Sequence, residues 1–304
     1  MAHYLDQKND LTFKRIFGEH KHLCISLINS MLPLERPVVN IEYLSGELVP
    51  ELEILRHSIV DVRCIDEDGR QFIVEMQMYW SDSFKSRGLL NASKAYVKQL
   101  DKADKFKLLQ PVYALNFVDD TFENTPEMQE EYYHHYKIVN IKNTEKQIKG
   151  LEFVFIELPK FKPQNRAEKK LHDLWLRFLT EIDEHAEKAS EELLENDHIR
   201  EAIGYVERAA YTKEQLDAYD KFKDAIMTER SAIDDALSKG KAEGRVEGKA
   251  EGKAEGITEK TEQVVINSHR AGIPVETIAA ITNLTVKQAL DIIDSTLSGS
   301  CEGG

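Results

Sequence analysis

The sequence predicts an α/β core in roughly its first 160 residues, followed by a mainly α-helical C-terminal region. Three observations carry that expectation. Apolar residues recur at helical spacing from Phe13 to Ile28. Short runs rich in β-branched and aromatic residues follow at 38–44, 58–65 and 71–78. A helical stretch then leads into 111–118 (PVYALNFV), a nearly continuous apolar run of the kind a strand buried on both faces requires. Helix, three strands, helix and strand in that order describe one α/β unit closing near Lys160.

Each element has its own warrant. Asn9 or Asp10 can cap the first helix, which carries Phe13, Ile16, Phe17, Leu23, Leu27 and Ile28 inward and stops near Pro33. The strands at 58–65 and 71–78 flank Asp66-Glu67-Asp68-Gly69-Arg70. A long helix is expected over about 83–109, and further strands at 136–141 and 151–158. After Pro163 the chain turns helical and acidic, with Leu171, Leu174, Trp175, Phe178 and Leu179 on one face. A four-residue repeat, glycine then Lys or Arg, Ala or Val, and Glu, begins at Gly240 and runs to Gly256. The expected divisions are a core at 1–165, a helical acidic region at 166–238, a repeat spacer at 239–262 and a small helical module at 263–304. Gly272-Ile273-Pro274 and Thr282-Asn283 break that module into short helices.

Composition sets limits. Hydrophobic residues make up 41% of 304, enough for a core. No apolar run approaches a bilayer's thickness, and residues 1–10 lack a signal-peptide apolar region, so a cytoplasmic protein without membrane partners is expected. Cys24, Cys64 and Cys301 fit neither a disulfide framework nor a zinc spacing. The net charge of −14 argues against a polyanionic partner, but it is unevenly spread. Residues 1–118 hold 15 Lys+Arg against 16 Asp+Glu; the remainder holds 25 against 38. DNA binding needs a local basic track rather than a basic whole.

The hairpin at 58–78 carries the chemistry. Asp61, Arg63 and Ile65 share one strand face, as do Ile73, Glu75 and Gln77. A two-residue turn at Asp68-Gly69 would put Asp61 opposite Met76 and turn Glu75 away. A three-residue loop, Glu67-Asp68-Gly69, pairs Asp66 with Arg70 and sets Asp61 opposite Glu75. Glycine in the left-handed position of that loop suits the second geometry. Asp61, Glu75 and Gln77 then gather on one face, and Val60, Val62, Cys64, Phe72, Val74 and Met76 fill the other. Two facing carboxylates repel unless one is protonated or a cation lies between them, and a hard ion such as Mg²⁺ suits oxygen donors. Alternation alone equally describes an ordinary hairpin with a wet face.

Asn9-Asp10-Leu11-Thr12-Phe13-Lys14-Arg15-Ile16-Phe17-Gly18, Asp61 to Gly69, and Ile73-Val74-Glu75-Met76-Gln77 together resemble the Rpn family of recombination-promoting nucleases, within the PD-(D/E)xK superfamily. The resemblance covers about 5–160 and, more loosely, the tail. It implies a restriction-endonuclease-like core, a central mixed sheet flanked by helices. It implies DNA hydrolysis, with Asp61, Glu75 and the carbonyl of Met76 holding Mg²⁺, Asp10 near the site, and no other cofactor. Gln77 stands where the superfamily usually has lysine; it cannot supply charge but can orient a water or a phosphate oxygen. The alternative is a catalytically weak DNA-binding or assembly protein that kept the fold.

Lys14, four residues after Asp10 on the same helical face, is expected to supply the missing charge; its other role is a plain ion pair with Asp10. Arg87, Lys94, Lys98, Lys102 and Lys105 form one stripe of the following helix, with Leu89, Tyr96, Val97, Leu100 and Ala103 offering a core face. The stripe is either a DNA-phosphate track or a solvated face. In the tail, basic and acidic stripes suit pairing between helices, and Val286, Ala289, Leu290 and Ile293 suit a partner helix, so a homo-oligomer is expected. A flexible linker is the other reading of the repeat.

Overall fold

The computed structural model describes residues 3–48, 58–81, 83–100, 109–163 and 170–299. Its centre is a six-stranded mixed sheet in the order β1-β4-β5-β6-β8-β7. These strands are β1 (Ile41–Tyr43), β4 (Val62–Asp66), β5 (Gln71–Gln77), β6 (Val112–Val118), β7 (Tyr133–Asn140) and β8 (Asn143–Glu157). The pairs β5·β6 and β6·β8 are parallel, and the remaining pairs are antiparallel. β2 (Glu47–Leu48) and β3 (Ser58–Ile59) form a separate small ribbon. The fold is the mixed sheet with flanking helices that the sequence predicts.

The first helical stretch is broken where one helix is expected. Asn9 caps α1 (Asp10–Phe13), its side chain accepting from the Leu11 amide at 3.0 Å. A π-helical turn (Lys14–Gly18) follows, and α2 (Lys21–Met31) restarts after Glu19 and His20. The π turn keeps Phe13, Ile16 and Phe17 buried while it changes the direction of the chain.

One face of the sheet packs on these helices and on α4 (Leu171–Glu181) and α6 (Asp197–Val206). Phe13, Phe17, Leu27, Phe72, Val74, Leu115, Phe117, Trp175, Phe178 and Ile203 belong to a single buried cluster. Trp175 donates to Ser26 Oγ at 3.1 Å, and Gln7 donates to the Leu179 carbonyl at 2.7 Å. The division expected at 165 is therefore not a break in packing. The acidic helices complete the core because their apolar faces pack on α2 and on one another within the same buried cluster. α5 (Glu191–Leu194) adds Leu193 to the same cluster.

The other face packs on α3 (Ser83–Val97). Its buried residues are Phe84, Gly88, Asn91, Ala92 and Ala95, whereas Leu89, Val97 and Leu100 are exposed. The core face expected from the larger apolar residues is thus corrected in part: Tyr96 packs against the core as expected, but apart from Phe84 the fully buried side chains are small, where the helix lies against β6 and β8. Ala103, Lys102 and Lys105 lie outside the described residues. Tyr132, Tyr133, His134, His135 and Tyr136, to which the sequence assigns no role, lead into and begin the edge strand β7. His134 bonds the fully buried Glu157 at 2.7 Å, and Lys160 closes on the same carboxylate at 2.7 Å, anchoring the end of β8.

The chain divides into two compact units, Met1–Ile226 and Met227–Gly304. α7 (Lys213–Arg270) is one helix that includes the whole glycine repeat, and among the described residues nothing beyond the helix's own adjoining backbone lies within 4 Å of a Cβ added at Gly240, Gly244, Gly248, Gly252 or Gly256. In the second unit Val265 packs with Ile278 and Ala279 of α8 (Val275–Thr282) and with Ala289 and Ile293 of α9 (Val286–Gly299). Asn283, at φ 55°, makes the turn between those two helices. Ala289 and Ile293, expected to face a partner, are thus spent on the unit's own core, while Val286 and Leu290 stay exposed.

Candidate active site

The site begins with a loop. Gly69 has φ +83°, a conformation that glycine takes without steric cost. Its amide donates to the Asp66 carbonyl at 3.1 Å, and the Asp66 amide donates to the Arg70 carbonyl at 3.0 Å. The Asp66 carboxylate accepts from the amides of Asp68 (3.1 Å) and Arg70 (2.8 Å) and from Arg70 Nε (2.6 Å). This is the three-residue loop, and it sets Val62 opposite Val74 and Cys64 opposite Phe72. One step further, the register sets Asp61 opposite Glu75.

Asp61 lies just before β4, where the chain changes partner. Val60 donates its amide to the Gly46 carbonyl at 3.0 Å, and a Cβ on Gly46 would stand 2.6 Å from the Val60 carbonyl oxygen, so only glycine permits this approach. The change of partner corrects the placement of Val60. It packs with Ile73, Ala92 and Ala95 beneath α3, rather than with Val62 and Val74 on the opposite face.

The carboxylates have few partners. Asp61 Oδ2 accepts from the Met76 amide at 2.8 Å, and Asp61 Oδ1 lies 3.9 Å from Lys14 Nζ. Lys14 is held more closely by Asp10, at 2.6 Å. Asn91 of α3 donates to Glu75 Oε1 at 3.1 Å. Arg87, one turn earlier on α3, donates to Gln77 Oε1 and lies over the Phe84 ring, 5.0 Å from its centre. The structure thus gathers Asp10, Lys14, Asp61, Glu75, Met76, Gln77 and Arg87 at one corner. Lys94 and Lys98 are partly buried, about two and three turns further along the same helical direction.

Burial sets the electrostatics. Loss of water raises the Asp61 carboxyl from an ordinary 3.8 to about 7; Glu75 and Asp10 push the same way, and the Met76 amide and Lys14 oppose them. Burial also raises Glu75, and Asn91 and Arg87 pull it back. Two further groups escaped the sequence reading. Asn91 and Asn116, the neighbour of Glu75 on β6, are both buried, and each has an Oδ1 without a hydrogen-bond partner among the described residues. Their signal is weak but present: each is a lone amide within an inward-facing stripe. Lys8 is the second such group, bonded to Asp119 at 2.7 Å, whose amide donates to the Gln77 carbonyl at 2.8 Å.

The family model described as a PD-(D/E)XK nuclease family transposase matches residues 7–236. The chain belongs to that family. No curated protein and no solved structure matches it. The matched span includes both carboxylates, α3 and the helices beyond 165 that complete the core. Membership supports a nuclease-like or transposase-related function, a chemistry for which divalent metals are general.

The donor set at the corner fits such an ion. Asp61 and Glu75 are two oxygen donors held in a place where burial disfavours both charges, so a cation is the natural compensation. Among the described residues no group of three or more His, Cys, Asp or Glu stands at metal-binding spacing. A hard ion that keeps several waters needs no larger cage. Among the described residues no helix is long and apolar enough to cross a membrane.

Proposed function

We propose that this chain is a Mg²⁺-dependent DNA endonuclease that hydrolyses phosphodiester bonds, in the service of recombination, mobile elements or defence. The observation that carries the reading is the facing pair Asp61 and Glu75, with the Asp61 carboxyl raised to about 7. Asp61, Glu75 and the Met76 carbonyl would hold the ion. When bound, it supplies Lewis acidity toward a phosphoryl oxygen and a water. The Met76 amide fixes one oxygen of Asp61, and Asn91 fixes one oxygen of Glu75, so neither carboxylate must be reoriented on binding. Asp10 orients Lys14 beside Asp61, where its ammonium offsets the site's negative charge. Arg87, Lys94, Lys98 and Lys102 would follow the DNA backbone. Self-association belongs to this proposal and rests on apolar side chains that the second unit leaves exposed, among them Ile281, Val286 and Leu290.

The test is cleavage of supercoiled plasmid with Mg²⁺ or with EDTA by the wild-type chain and by Asp61→Ala and Glu75→Ala. Each substitution is expected to reduce the rate by about 10³-fold or more, as loss of a metal ligand does. Thermal stability without metal should hold or rise, because one of two repelling carboxylates is removed. Mutants that cleave as well as wild type at saturating Mg²⁺ overturn the site. A wild-type chain that binds DNA in a shift assay yet never cuts it favours the assembly role instead.

A further inference from the structure

The nuclease reading assigns Arg87 to the DNA backbone and leaves its contact with Gln77 unused. A phosphate entering a corner that already holds two carboxylates needs a cation with free donors. Lys14 is a poor source, since Asp10 takes its ammonium at 2.6 Å. Arg87 is different. It is solvent-exposed, it lies over the Phe84 ring, and its contact to Gln77 is to a neutral amide oxygen. No carboxylate lies within ion-pairing distance of it among the described residues. Its charge reaches the site nevertheless, because it helps pull the Glu75 carboxyl downward.

A guanidinium has five N–H donors in a rigid fork. Gln77 uses one of them, and the ring of Phe84 supports the plane. The remaining donors are held in direction without being neutralised. A glutamate at 77 would fix the fork equally well but would cancel its charge. We propose that Arg87 is a phosphate clamp that grips a non-reacting oxygen of the scissile phosphate, and that Gln77 is its positioning residue. This rests on the nuclease reading for the identity of the phosphate, but the coupling between the two side chains does not.

Two measurements on the full chain separate those parts. The first is anisotropy of a fluorescent 20-base-pair duplex in EDTA. Arg87→Gln is expected to weaken binding by about tenfold and Gln77→Ala by about threefold, as loss and misdirection of one charged phosphate contact do. The double variant should bind no worse than Arg87→Gln alone, because Gln77 acts through Arg87. Losses that multiply in the double variant overturn the pairing. The second is single-turnover cleavage with Mg²⁺. Arg87→Gln and Gln77→Glu should each slow the step by about 100-fold, while Gln77→Ala with its charge intact should slow it less. Gln77→Glu at the wild-type rate overturns the clamp. If the wild-type chain does not cleave at all, the nuclease reading falls, and the binding cycle alone decides whether Arg87 and Gln77 act together.

Discussion

The carboxylate corner and the exposed length of α7 use the same residue types to opposite ends. At the corner, Glu75 is buried beneath α3 and Asp61 is partly buried beside it, and each cation nearby has a defined partner. Along 240–256, Lys241, Arg245, Lys249 and Lys253 alternate with Glu243, Glu247, Glu251 and Glu255, all of them exposed. There Lys239 and Glu243 approach only to 4.0 Å, and an exposed pair of that kind contributes little. A charged residue acquires chemistry from its surroundings, and the surroundings are made by packing.

The contrast can be broken most forcefully at Asp61. Its folded carboxyl, at about 7, lies above its ordinary 3.8, so the folded protein binds the extra proton between those values. The stability that this proton gives is complete below about pH 4 and is lost as pH rises through 7. In metal-free protein at pH 8, Asp61→Asn should therefore be more stable than wild type by on the order of 3 kcal/mol, and about equal to it at pH 4. Thermal melts at the two pH values measure this; equal gains at both would assign the effect to something other than the buried charge.

Lys14→Gln is expected to have a smaller effect, a drop in turnover on bound DNA of about tenfold to thirtyfold, because the ammonium that Asp10 holds beside Asp61 is lost. Affinity for DNA should change less than turnover. A fall in binding with unchanged single-turnover rate would reduce Lys14 to general attraction. Smallest of all should be the effect of the tail on the core. Deletion of 239–304 is expected to lower the mass seen in light scattering and to leave DNA affinity within about twofold, since the repeat is solvated and its stripes are balanced. A truncated chain of unchanged mass that loses DNA binding would reverse those roles.

The hairpin could be placed from sequence because its signals are local. Alternation marks the strands, one glycine marks the loop, and counting back from Asp66 and Arg70 brings Asp61 to Glu75. Val60 could not be placed, since the chain changes partner there through a contact with Gly46, fourteen residues earlier. The inward face of α3 was hidden for another reason. Gly88, Asn91, Ala92 and Ala95 carry little apolar surface, and Leu89 and Val97 outweigh them in any pattern of hydrophobicity. That rotation of α3 also hid the link between Arg87 and Gln77, which no spacing within one strand or one helix reveals. The break at Glu19 and His20 was hidden because the apolar spacing is nearly the same on both sides of it.

The loop at Gly69 has a consequence for how this protein can change. Side chains on a strand alternate, so a turn whose change of length slips the strands by one residue sends Asp61 or Glu75 to the other face. Register here is therefore a matter of odd and even. A chain that keeps its present loop can drift widely in the sequence of Glu67 and Asp68, whereas an inserted or deleted residue that slips the strands disperses the carboxylate pair at once. A tolerated change of length is one that the loop takes up with the pairing unchanged, or one matched by a bulge in the facing strand.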